Sequence, residues 1–141
     1  MQTVSASQSC KTSPSNASAR ILSEEGIKAW WIGGVKIVSV DQSWPALGSR
    51  MSWKAGGGTF RAEVTTDARP TFVEMHVETP SANSIVRHAF DQQHEGSTLY
   101  TKTVEPIWRS GFTRFLSPLL IPLLRASVKA EVKKACAYAS R

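Results

Sequence analysis

The sequence predicts an α+β protein built from an antiparallel sheet of about seven strands, two short helices after the first strand, and a long C-terminal helix. Three observations carry this. From Val35 apolar residues recur at every second position and turn signals return roughly every ten residues, the pattern of an antiparallel meander. Ahead of the meander two serine-led helix starts stand close together, Ser13-Pro14 and Ser23-Glu24-Glu25. Beyond Pro106 the period lengthens, and Phe112, Phe115, Leu116, Leu119, Leu120, Leu123, Leu124, Val128 and Val132 recur at helical spacing.

In chain order, Thr3 to Lys11 alternates around Val4, Ala6 and Cys10, interrupted by Gln8, and reads as a first strand at a sheet edge. Ser13 can cap a first turn and Pro14 suits the first helical position. Ser23 repeats the signal before Ile27, Ala29, Trp30 and Trp31, and Gly33-Gly34 supplies the ending. The strands that follow are Lys36 to Asp41, Ser49 to Ala55, Thr59 to Thr66, Phe72 to Thr79, Ser84 to Asp91 and Thr98 to Glu105. Their apolar faces are Met51 and Trp53; Phe60, Ala62 and Val64; Val73, Met75 and Val77; and Val86, His88 and Phe90. In the last strand Tyr100 and Val104 share a face with Lys102, which joins His88 if this strand pairs with its predecessor. Pro118 and Pro122 lack backbone donors, so a break or kink is expected between Ser117 and Pro122, with Ser117 as the cap of the longer helix.

A chain of 141 residues, 41% hydrophobic, can bury a core but is short for two ordinary domains, so residues 1–141 are expected to form one. No apolar run approaches the roughly 18 residues of a membrane-spanning helix. The opening residues lack the charged and apolar blocks of a signal peptide. A soluble, cytoplasmic protein is the expectation. The net charge of +6 lies entirely between Trp108 and Arg141, where seven Lys and Arg face Glu131 alone. Such a helix reads first as a solvated face, so no nucleic-acid partner is expected. Cys10 and Cys136 stand near opposite ends without ligand spacing, and neither a zinc site nor a disulfide framework follows from them. No GxSxG, HExxH or Cys/His couple occurs. Gly56-Gly57-Gly58 lies between two strands, the wrong place for a phosphate loop, and no cofactor or metal is expected.

Trp30-Trp31 follows the short helices, Gly48-Ser49 precedes a strand, and a Gly96-led strand ends in Glu105-Pro106 before the last helix. In this order of elements and local wording the chain resembles the polyketide cyclase/dehydrase branch of the START-like SRPBCC superfamily. The resemblance implies a helix-grip fold, a curved antiparallel sheet wrapped around the C-terminal helix with a cavity between them. It also implies that the apolar faces line that cavity: Trp53, Phe60 and Met75 from the strands, and Phe112, Phe115 and Leu119 from the last helix.

His88 stands between Val86 and Phe90 on an apolar face, where a neutral imidazole can bond a ligand or move a proton, or simply be satisfied within the core. Tyr100 and Lys102 can add a phenol and a cation, suiting an acidic or hydroxylated ligand; Lys102 can equally extend its stem to the rim. Glu74, His76 and Glu78 read as the wet face of a strand. The leading expectation is binding of an apolar or amphipathic small molecule. The alternatives are a polyketide cyclase/dehydrase-type enzyme with His88 or Tyr100 as proton carrier, and an interaction module using the basic C-terminal helix.

Overall fold

The computed structural model describes residues 3–31, 33–80, 82–108 and 111–141, without the side chains of 112 and 113. The chain runs through β1 (Val4–Cys10), α1 (Pro14–Ile21), α2 (Glu24–Trp30), β2 (Lys36–Val40), β3 (Arg50–Ala55), β4 (Gly58–Ala68), β5 (Phe72–Glu78), β6 (Ala82–His94), β7 (Ser97–Trp108), α3 (Gly111–Phe115) and α4 (Ser117–Ala139). The strands form one seven-stranded antiparallel sheet in the order β1-β7-β6-β5-β4-β3-β2, so the first strand lies beside the last.

Local chemistry starts the elements where the sequence places them. The Ser13 hydroxyl accepts from the Asn16 amide at 3.2 Å, and the Ser23 hydroxyl from the Gly26 amide at 2.9 Å, each meeting a helix N–H that has no partner inside its helix. α1 and α2 approach so closely that a Cβ on Gly26 would run into the Arg20 carbonyl. The carbonyls between them are taken by two tryptophans, Trp30 Nε1 donating to Ile21 and Trp44 Nε1 to Leu22, each at 2.8 Å. The β3–β4 hairpin turns on Gly56 and Gly57, whose φ values of 57° and 81° are those a tight two-residue turn demands.

The inner face of the sheet carries the strand faces expected from the alternation, and Tyr100, Lys102 and Val104 of β7 join them. The outer face is polar, with Arg87 donating to Glu74 at 3.0 Å and His76 and Glu78 exposed. α4 packs against β1, β7, α1 and α2. The helical break falls at Leu116, one residue before the expected segment; Ser117 is already helical, Pro118 occupies the first turn where no N–H is required, and Pro122 is carried inside α4.

Two expectations are corrected here. Phe115 and Leu119 do not line the cavity: they are 79% and 71% exposed, and Leu123, one turn beyond Leu119, is exposed with them. The buried side of α4 is Ile121, Val128, Val132, Ala135, Cys136 and Ala139. Leu119 and Val128 are two and a half turns apart and therefore on opposite faces, because the first half of α4 is apolar on both sides. The second correction concerns the cysteines. Cys10 closes β1 where α4 crosses it, and forms a disulfide with Cys136 across 126 residues of sequence. Their separation hid a contact that only the pairing of β1 with α4 creates.

Candidate functional site

Between the inner face of the sheet and α4 lies a cavity of about 350 Å³, within the size range of small-molecule sites. Its wall is largely aromatic. Trp53 and Phe60, paired across β3 and β4, lie parallel at 5.9 Å, and Trp31 meets both edge-on at 5.3 and 5.0 Å. Trp30, Trp44, Met75, Val86, Leu124 and Val128 are among the other apolar residues of the lining. Trp31, Phe60, Thr79, Ser84 and Leu124 also border an adjoining groove with Trp108 and Leu120, so the cavity continues outward past the start of α4.

The other end is polar. His88 and Lys102 are direct partners across β6 and β7, which brings both side chains to one spot on the inner face. Glu131 reaches them from α4, its carboxylate 3.5 Å from the Lys102 ammonium, with the two side chains only 12% and 6% exposed. The ammonium also sits 4.3 Å from the centre of the Trp30 ring, a cation–π contact held by the bond from that indole to Ile21. Behind His88, Tyr100 places its hydroxyl 2.8 Å from Nδ1, and the rings stack with Phe90 beyond them. Burial, reinforced by the Lys102 charge, holds the His88 imidazole well below the usual histidine range, so it is neutral. Burial and the Glu131 carboxylate push the Tyr100 phenol well above its usual range, so it keeps its proton.

Of the residues singled out in the sequence, Trp53, Phe60, Met75, His88 and Lys102 line the cavity. Tyr100 stands one layer behind the wall, on His88. Phe115 and Leu119 lie on the outer surface, for the reason given above. The Phe112 side chain lies outside the described residues. Sequence reasoning missed Glu131, which it counted only as the lone acid of the basic segment. The signal was present: Leu124, Val128 and Glu131 share the i, i+4, i+7 spacing of one helix face. Buried without a hydrogen-bond partner among the described residues is the Trp53 indole N–H. No group of three His, Cys, Asp or Glu among the described residues is placed to hold a metal, and no described helix is long and apolar enough to cross a membrane.

A curved seven-stranded sheet gripping a C-terminal helix, with two short helices after the first strand, is a helix-grip fold. No protein-family model and no curated protein matches the chain. Among solved structures it is similar to the Zhui aromatase/cyclase from Streptomyces sp. R1128, with 12% identity over 99% of this chain and 94% of that one and a TM-score of 0.77. A protein of Thermus thermophilus has 16% identity over 98% of this chain and 97% of its own, with a TM-score of 0.75. A protein of the dynemicin biosynthetic locus has 14% identity over 98% of this chain and 47% of its own, with a TM-score of 0.70. At these identities the likeness is one of fold.

Proposed function

We propose that this protein binds an apolar or amphipathic small molecule in the cavity between its sheet and α4. The observation that carries the reading is the cavity's two-ended lining, an aromatic wall of Trp31, Trp53 and Phe60 leading to the buried group of His88, Lys102 and Glu131. Covering about 200 Å² of ligand carbon supplies roughly 5 kcal/mol before ordering costs are subtracted. The polar end then fixes which way round the ligand lies. Native mass spectrometry of the purified protein, with thermal-shift screening against fatty acids, flavonoids, polyketides and sterols, tests it. A copurified small molecule or a saturable rise in Tm for one class is expected; no bound mass and no shift for any class overturns the reading.

The second reading is a cyclisation or dehydration enzyme, favoured by the proton-bearing His88–Tyr100 pair at the cavity end and by the fold shared with an aromatase/cyclase. Such reactions need a held chain, one proton carrier and exclusion of water. Here His88 is the residue that touches the ligand and Tyr100 positions it. Turnover of a poly-β-carbonyl thioester that is lost in both His88→Phe and Tyr100→Phe supports catalysis; binding without turnover leaves the protein a carrier or sensor. The cytoplasmic location expected from the sequence implies that Cys10 and Cys136 stand reduced in the cell, whereas their bridge supports an oxidising compartment.

A further inference from the structure

We infer that the Lys102–Glu131 pair is the selectivity device of the cavity, admitting neutral ligands that bring an acceptor oxygen such as a carbonyl and rejecting carboxylates of the same shape. The inference rests on the cavity-binding reading and sharpens it. A buried lysine on a basic protein first points to an acidic ligand, and the structure argues the opposite. The ammonium is already matched by one carboxylate, so the polar end of the cavity carries no net charge. A second carboxylate would leave an uncompensated negative charge in a space walled by tryptophan and phenylalanine, where desolvation is not repaid.

A neutral oxygen meets no such penalty and finds free donors. At 3.5 Å the ion pair is longer than the 2.7–2.9 Å of a tight charge-assisted bond. Among the described residues the contacts of the Lys102 ammonium are Glu131 and the Trp30 ring, and neither uses all of its three N–H groups. His88 supplies another. The only partner of the Tyr100 hydroxyl among the described residues is His88 Nδ1, and a buried O–H must donate somewhere. The hydrogen-bond network therefore assigns the phenol as donor to Nδ1, which leaves the ring proton on Nε2. His88 is then a donor to the ligand. The polar end offers two kinds of N–H donor and one carboxylate acceptor, the complement of a carbonyl with a neighbouring hydroxyl. Glu131 is the part of the device that sets the sign of the charge.

Three naphthalenes of one shape separate the possibilities: 2-acetylnaphthalene, 2-ethylnaphthalene and 2-naphthoate, each titrated calorimetrically into the full chain at neutral pH. The wild-type order expected is ketone, then hydrocarbon, then carboxylate, with at least a tenfold gap between ketone and carboxylate. Glu131→Gln unmasks the lysine and is expected to improve 2-naphthoate binding at least tenfold, making it the tightest of the three. Lys102→Met/Glu131→Gln, which removes both charges and so buries neither alone, is expected to abolish the preference of ketone over hydrocarbon; circular dichroism confirms that each variant is folded. Equal binding of all three by the wild type, tighter binding of the carboxylate, or an unchanged order in Glu131→Gln overturns the selectivity role while the cavity-binding reading stands. No binding of any of the three overturns the selectivity role, and the screen described above decides separately whether the cavity binds other molecules.

Discussion

Cys10 on the first strand and Cys136 on the last helix lie 4.8 Å apart at their Cα atoms, and their disulfide pins α4 across the sheet edge formed by β1 and β7. The same corner is held by Arg20, which donates to the Arg141 carbonyl at 2.7 Å and lies over the Tyr138 ring. One covalent bond and one cation thus fasten the far end of the helix, whereas the near end, past Leu124, borders the groove that leads out of the cavity.

Because a disulfide closing so long a loop restricts the unfolded chain, its loss is expected to lower stability by about 2–5 kcal/mol. Urea unfolding with and without a phosphine reductant measures this. Cys136→Ser should reproduce the reduced midpoint, and coincident curves for oxidised and reduced protein would show that the bond contributes nothing.

The buried His88 gives stability a predictable dependence on pH. Its folded-state pKa is depressed, so near pH 6 and below the unfolded chain binds a proton that the native protein refuses. The contribution is complete above about pH 6.5, the ordinary histidine value, and is lost progressively as pH falls, with a slope of up to about 1.4 kcal/mol per pH unit. Unfolding free energies at pH 5, 6 and 7 should show this slope in the wild type and a shallower one in His88→Phe. An identical slope in both would place the titrating group elsewhere.

Removing the phenol hydroxyl in Tyr100→Phe leaves a ring nitrogen of His88 buried without its partner. A loss of about 1–3 kcal/mol is expected from chemical denaturation. A variant as stable as the wild type would mean that another group satisfies Nδ1.

Gly26 is a test of the α1–α2 corner. Gly26→Ala drives a methyl group into the Arg20 and Ile21 carbonyls, which are backbone and cannot swing away. A cost of roughly 1–3 kcal/mol is expected, although alanine is the better helix former. A rise in Tm instead would show that the two helices separate at little expense.

Most of this fold is legible in the sequence because its signals are local. Ser13-Pro14, Ser23 and the alternation around Val73, Met75 and Val77 each report on their own few residues, and the structure builds those elements there. What stayed hidden depends on contacts between distant elements. The Cys10–Cys136 bond needs β1 to sit beneath α4, and the role of Glu131 needs α4 to be rotated so that Val128 and not Leu119 faces β7. Periodicity identifies a helix but does not choose between two apolar stripes on it, and Leu119-Leu123 and Ile121-Leu124-Val128 are both apolar enough.

That rotation of α4 yields the last prediction. Val128 is buried on the cavity wall and Leu119 is 71% exposed on the opposite face, so equal chemical changes at the two positions have unequal consequences. Val128→Phe inserts a ring into the cavity and is expected to reduce uptake of any cavity ligand at least tenfold, with a stability change of about 1–3 kcal/mol from overpacking. Leu119→Ser removes a side chain that the fold does not bury, and stability is expected to stay within about 0.5 kcal/mol of the wild type. Ligand uptake by Leu119→Ser should also be unchanged. Calorimetric titration of 2-acetylnaphthalene and urea unfolding on both variants provide the measurements. Loss of binding in Leu119→Ser with normal binding in Val128→Phe would mean that the helix presents its other apolar stripe to the sheet when ligand is bound.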